Sequence, residues 1–197
     1  MKNKADYLGF SPRDNVEDMI VSLIEKARIS IWVMVFKIDS KAIIQALCKA
    51  SNRGVDVKVI TDLKNYNDKN PTMDQLKTLR IPTKVYKKLS DEIMHHKITL
   101  VDAEQVIIGT GNYLQDHFAN NYESLLVLNS IQVVDGAKSV FWDIWNSQSI
   151  EAEVGKKQYV RCSASRRLRR AIFSAKGRLA ILLVSVFFNI FLFYSLF

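Results

Sequence analysis

The chain has 197 residues, 48% of them apolar, and a formal net charge of +8, enough for one ordinary domain with a sizeable core and a short extension. The charge favours anionic partners, nucleic acid or phospholipid surfaces. Two cysteines, Cys48 and Cys162, exclude a disulfide framework, no CxxC pair or Cys/His cluster offers a zinc site, and the opening "MKNKADYLGFSPRDN" lacks the apolar run of a secretory signal.

In chain order, Val16, Met19, Ile20, Leu23, Ile24 and Ala27 fall at helical spacing and predict an amphipathic helix over about 15–27. "ISIWVMVF" (29–36) is a near-continuous apolar run, as expected of a strand covered on both faces. Ser40 can cap a helix whose face is Ile43, Ala46, Leu47 and Ala50, ended by Gly54. "VDVKVIT" (55–61) predicts a strand, "NYNDKNPT" a loop, and about 73–80 a short helix. "TKVYK", the segment 93–101, "QVIIG" and "YESLLVL" are strand-like, and "IQVVDGAKSVFWDIWNS" closes with a helix. βαβ units followed by further strands predict an α/β sandwich with a mixed, mostly parallel sheet.

After this body the composition shifts. A catalytic domain is expected over 1–150, a basic linker over 151–177 and a membrane anchor over 178–197. From Leu179 to Phe197 no residue is charged; as a helix this run spans roughly 28 Å, close to the ~30 Å of bilayer hydrocarbon. Arg161, Arg166, Arg167, Arg169, Arg170, Lys176 and Arg178 precede it, which predicts a single-pass C-terminal transmembrane helix with the preceding domain on the cytoplasmic side.

The stretch "IMHHKITLVDAEQVIIGTGNYL" carries the chemistry. On a strand, His95 and Lys97 share a face, while His96 points the other way with Met94, Ile98 and Leu100. An imidazole beside an ammonium pairs a nucleophile or base with a phosphate clamp. In "GTGN" the glycines admit a ligand to the backbone, and Thr110 and Asn112 add a hydroxyl and an amide. These four side chains could converge on one phosphoryl group, whose equatorial oxygens need donors.

"HHKITLVD" fits His-x-Lys-x4-Asp through His95, Lys97 and Asp102, and "GTGN" stands in the place of Gly-Ser-x-Asn. The chain resembles the phospholipase D superfamily, the HKD family. "FSPRDNVEDMIVSLIEKARISIWVMVFKI", "ASNRGVDVKVITD" and "FWDIWN" extend the resemblance over about residues 7–147. They are similar to small single-motif bacterial endonucleases and to the mitochondrial cardiolipin hydrolase and Zucchini group.

The resemblance implies a phospholipase D-like fold and a hydrolase that uses no metal and no cofactor. His95 would attack phosphorus and form a phosphohistidine. Lys97 and Asn112 would hold the non-bridging oxygens, with Thr110 in the place of the usual serine. Glu123 would orient the imidazole, which fits the physics of a carboxylate fixing a tautomer. Asp102 completes the catalytic motif; its strand parity is opposite to that of Lys97, so it is expected as a hydrogen-bond acceptor near the site. His96 is not expected to be catalytic, and His117, with no lysine two positions on, is expected on a surface loop. A one-motif chain supplies one histidine where nucleophile and acid are both needed, so a homodimer sharing one active site is expected.

Substrate choice stays open at this level. A membrane-anchored endonuclease acting on DNA or RNA is favoured by the nuclease-like body and its basic residues. A phospholipase D acting on lipids such as cardiolipin is favoured by the anchor. A silent lipid- or nucleic-acid-binding scaffold is a third reading, opposed by the intact His95, Lys97 and Asn112 set. The basic linker suits nucleic acid and anionic lipid alike.

Overall fold

The first two helices begin where side chains relieve unpaired backbone donors. In the computed structural model, which describes residues 6–63, 76, 80–86, 93–146 and 149–151, Asn15 precedes α1 (Val16–Lys26) and accepts from the Asp18 N–H. Glu17 and Asp18 sit in the first turn, where the helix dipole favours negative charge. Ser40 caps α2 (Lys41–Asn52), accepting from the Ile43 N–H at 3.2 Å. The Ser40 hydroxyl also donates to Glu17 of α1, tying the two helices together. The chain leaves α2 through Gly54 at φ +89°, a left-handed conformation that glycine adopts without a Cβ clash.

Among the described residues the strands are β1 (Tyr7–Ser11), β2 (Ser30–Val35), β3 (Asp56–Asp62), β4 (Thr83–Tyr86), β5 (Lys97–Val101), β6 (Gln105–Gly109), β7 (Glu123–Leu128) and β8 (Ser149–Glu151). They form one sheet in the order β1-β7-β6-β5-β2-β3-β4-β8. The inner strands alternate between two cores, as the period of two requires. Ile31, Val33 and Val35 of β2 join Val57 and Val59 of β3, Val101 and Ile107 in a cluster with Val16, Ile20 and Ile24 of α1 and Ile43 and Leu47 of α2. Met34, Ile60 and Leu100 face the opposite way and pack with Val134, Ala137 and Phe141 of the last helix, α4 (Ile131–Trp145). A four-residue helix, α3 (His117–Asn120), lies between β6 and β7.

The α/β architecture and the mixed sheet match the sequence expectation; "mostly parallel" does not. Among the described strands, β2–β3 and β3–β4 pair in parallel, and the other five pairs run antiparallel. Parallel neighbours need a long crossover, which the chain provides between β2 and β3 through α2 and again between β3 and β4. From β5 to β6 the connection is a tight turn, with Asp102 and Ala103 at φ +54° and +52°, so those strands must run antiparallel. The period that identifies a strand is blind to the direction of its neighbour.

β1 escapes the sequence pattern because its polarity is inverted. Gly9 and Ser11 are buried while Leu8 and Phe10 are exposed. A Cβ on Gly9 would lie 2.9 Å from Met19 Sδ, so a larger residue there would displace the end of the methionine side chain. β8 runs through Glu151, the first residue of the expected linker. Most of the helix expected at 73–80, the rest of the basic linker and the apolar C-terminal run lie outside the described residues. Among the described residues no helix is long and apolar enough to cross a membrane.

Candidate active site

The sheet's strand directions bring distant stretches of sequence to one end. Because β2 and β5 are antiparallel, the C-terminal end of β2 meets the start of β5, with Val35 opposite Lys97. The C-terminal end of β6 and the start of β7 lie at the same end, with Gly109 opposite Leu125, and Ser11 at the end of β1 pairs with Glu123. This end therefore collects Phe36, His95, Lys97, Thr110, Asn112 and Glu123.

β5 begins at Lys97, so His95 lies ahead of the strand rather than on it. The lysine is nearly fully buried and the histidine exposed. Lys97 Nζ stands 3.0 Å from His95 Nδ1 and 3.1 Å from Nε2, and donates to the His95 carbonyl at 3.0 Å. An atom so placed in the ring plane would run into the C–H between the two nitrogens, so the ammonium lies over the ring face. The in-plane lone pair of the imidazole still points away from the lysine. Phe36 closes the apolar side, its ring 5.0 Å from that of His95 and 5.7 Å below Lys97 Nζ. Burial pulls the Lys97 ammonium below the usual lysine range, and the nearby charge of Glu123 pushes it back up. Asp62, at the end of β3, steadies the segment by accepting from the Met94 N–H at 3.1 Å.

Asn112 is placed by backbone. Its Oδ1 accepts from the Lys37 N–H at 3.3 Å, which turns the amide nitrogen away from that strand end. The next residue, Tyr113, pins the loop. It donates from N–H to the Lys37 carbonyl at 3.1 Å, and its own carbonyl accepts from Asp39 and Ser40. Its buried hydroxyl pairs with Thr99 at 2.8 Å, and burial pushes the phenol up to about 12.

Thr110 and Glu123 are joined directly, the hydroxyl donating to Glu123 Oε2. The Ser124 N–H donates to Thr110 Oγ1 at 3.0 Å. Ser11 fixes the start of β7, accepting from the Glu123 N–H at 3.0 Å and donating to the Asn121 carbonyl at 2.7 Å. Among the described residues, the Glu123 carboxylate faces Thr110 and His117 and makes no hydrogen bond to the His95 of its own chain.

Asp102 is not near this end. It follows the last residue of β5, roughly 16 Å from Lys97 at about 3.3 Å per residue. Its carboxylate accepts from the Arg28, Ile29 and Ser30 N–H groups at 2.7–3.1 Å, and its own N–H donates to the Ser30 carbonyl. It is the structural acceptor that parity indicated, but it holds the entry to β2 at the far end of the sheet rather than near the site. His117 is also placed differently: it opens α3, is part-buried, and places Nδ1 3.6 Å from Glu123 Oε1. Among the described residues no group of three or more His, Cys, Asp and Glu is arranged to hold a metal ion.

Phe36, Ser11, Asp62 and His117 were not found from sequence. Phe36 becomes visible only through the β2–β5 register, and Ser11 only through β1–β7. His117 carried a local signal, its place six residues before Glu123 in "HFANNYE".

A family model described as "Cardiolipin synthase, PLD-like domain" matches residues 20–145. The chain is similar to "Phospholipase D" of Rickettsia bellii (strain RML369-C), 28% identical over 126 residues, covering 64% of this chain and 62% of that protein. It is similar to "Mitochondrial cardiolipin hydrolase" of Xenopus laevis, 28% identical over 127 residues, covering 64% of this chain and 59% of that protein. The matched region thus spans about three fifths of these curated relatives. Among solved structures it is similar to Nuc of Salmonella typhimurium, a phospholipase D family member, with a TM-score of 0.70 and 26% identity over 76% of this chain and 99% of that one. NucT from Helicobacter pylori gives a TM-score of 0.66 and 25% identity over 72% of this chain and 95% of that one.

Proposed function

The chain belongs to the phospholipase D superfamily, and from that premise we propose that it is a phosphodiesterase working through a phosphohistidine. The observation that carries this reading is the placing of Lys97 Nζ over the His95 ring, with the in-plane lone pair left for attack. A ring nitrogen of His95 bonds to phosphorus and the bond to the leaving oxygen breaks. Lys97 and the Asn112 amide meet the charge on the non-bridging oxygens. The leaving oxygen takes a proton from a second imidazole, the His95 of a second copy of the chain. That same imidazole then removes a proton from water, which attacks phosphorus and releases His95 and a phosphomonoester. No step calls for a metal.

Nucleic acid is the substrate we favour. The likeness to Nuc runs over nearly all of that chain, and a net charge of +8 suits a polyanion. Phospholipid is the second reading. It is supported by the names of the curated relatives, by the exposed Ile93 two residues before His95, and by the apolar C-terminal run, which we read as an anchor holding the domain on the cytoplasmic side of a membrane. The test is the full chain in detergent, assayed on single-stranded DNA, duplex DNA, RNA and cardiolipin vesicles. Cleavage of DNA or RNA with cardiolipin intact supports the first reading, and the converse supports the second. A chain that cleaves none of the four contradicts both.

A further inference from the structure

A threonine hydroxyl has a single proton to donate. In Thr110 that proton is committed to Glu123 Oε2, and the Ser124 N–H already donates into the same oxygen. A phosphate held by Thr110 must therefore take the proton away from Glu123, and the carboxylate loses the donor that holds it.

A replacement stands on the other side. His117 Nδ1 lies 3.6 Å from Glu123 Oε1. This nitrogen is buried and has no hydrogen-bond partner among the described residues. Buried polar atoms left in that condition are few in folded proteins, and each calls for a reason. At 3.6 Å the pair is too far apart for a hydrogen bond, but hydrogen bonds of active sites are often long without substrate and tighten in the complex.

The loop is built to allow this approach. A Cβ on Gly111 would lie 2.7 Å from Phe118 Cε1 and 3.1 Å from Glu123 Cγ. Phe118 is buried, its ring 6.4 Å from that of Tyr113. The second glycine of "GTGN" thus lets α3 close onto the loop and brings His117 to the carboxylate.

We propose that His117 is a positioning residue that takes over Glu123 when a substrate phosphate draws the Thr110 hydroxyl away. The Nδ1–H moves onto Oε1 and holds the carboxylate in place through the reaction. His117 touches neither phosphorus nor the leaving group. The assignment rests on the phosphodiesterase reading above and names a residue through which Glu123 acts.

The experiment compares the full wild-type chain with H117A, H117N and H117L on bis(4-nitrophenyl) phosphate, with a melting curve for each. Loss of one hydrogen bond to a charged group predicts that kcat falls on the order of tenfold in H117A and H117L, with KM changed less than about twofold. H117N carries an amide donor near the position of Nδ1 and recovers most of the rate. The double variant T110V/H117A, in which neither side chain holds Glu123 at any stage, loses more than the product of the two single losses. Wild-type kcat in H117A overturns the proposal. Equal losses in H117N and H117L also overturn it, because they make the residue a space-filler. A wild-type chain without diesterase activity defeats the phosphodiesterase reading itself, and is seen before any variant is compared.

Discussion

Lys97 and Asp102 bracket a single five-residue strand and serve opposite ends of it. Lys97 lies against His95, while Asp102 gathers the backbone N–H groups of Arg28, Ile29 and Ser30. The motif His-x-Lys-x4-Asp thus joins two arrangements through β5, one that sets Lys97 beside His95 and one that builds the entry to β2.

Replacing Asp102 separates them. Asp102→Ala strands the N–H groups at the entry to β2 and puts alanine at a left-handed φ, which costs about 2–4 kcal/mol of stability. Asp102→Asn keeps an acceptor and tolerates the left-handed backbone, so it costs less. Chemical denaturation measures the order D102A, D102N, wild type, and kcat of the folded fraction stays within about threefold of wild type. A folded D102N with kcat reduced a thousandfold would return Asp102 to the catalytic set.

The alkaline limb of the rate profile reports Lys97. The clamp works only as an ammonium, so activity falls as pH rises through the lysine pKa, which burial sets below the ordinary range. The charge on Glu123 raises that pKa, so Glu123→Gln lowers it further and moves the limb to lower pH. A pH–rate series on E123Q and wild type checks the direction. A limb that stays put or moves up would mean that another group titrates there.

Chelation tests the charge stabilisers. With His95 as nucleophile and Lys97 and Asn112 on the phosphate, hydrolysis continues in excess EDTA. Activity abolished by EDTA and restored by magnesium would contradict the mechanism.

The long helices and the inner strands could be read from sequence because their apolar spacing is dictated by what they bury: Ile20, Leu23 and Ile24 on α1, and Ile31, Val33 and Val35 on β2. The composite motif brought out His95, Lys97, Thr110 and Asn112, which the fold gathers at one end of the sheet. What stayed hidden depends on pairing. Strand direction, the inverted burial of Gly9 and Ser11 in β1, the contact of Phe36 with His95 and the separation of Asp102 from the site all follow from which strand lies beside which, and a local period carries none of that.

Pairing of two chains is tested by mixing. Wild-type and H95A chains with different tags, co-expressed in equal amounts, pair at random to give roughly a quarter fully wild-type dimers. A mixed dimer holds one histidine and lacks either the nucleophile or the acid, so total activity falls toward about a quarter of the wild-type value. A fall to only half, with mixed dimers turning over at half the wild-type rate, would give each chain its own complete site.

The central claim is the covalent bond to His95, and trapping it is the most direct test. The full chain is mixed with a diester labelled on phosphorus, quenched in alkali during turnover, digested and mapped by mass spectrometry. The account predicts the labelled phosphoryl group, still carrying the substrate's second ester, on the peptide containing His95 in wild type, and none on that peptide in H95A. Label on any other residue, or steady turnover with no labelled peptide at any time point, would contradict it.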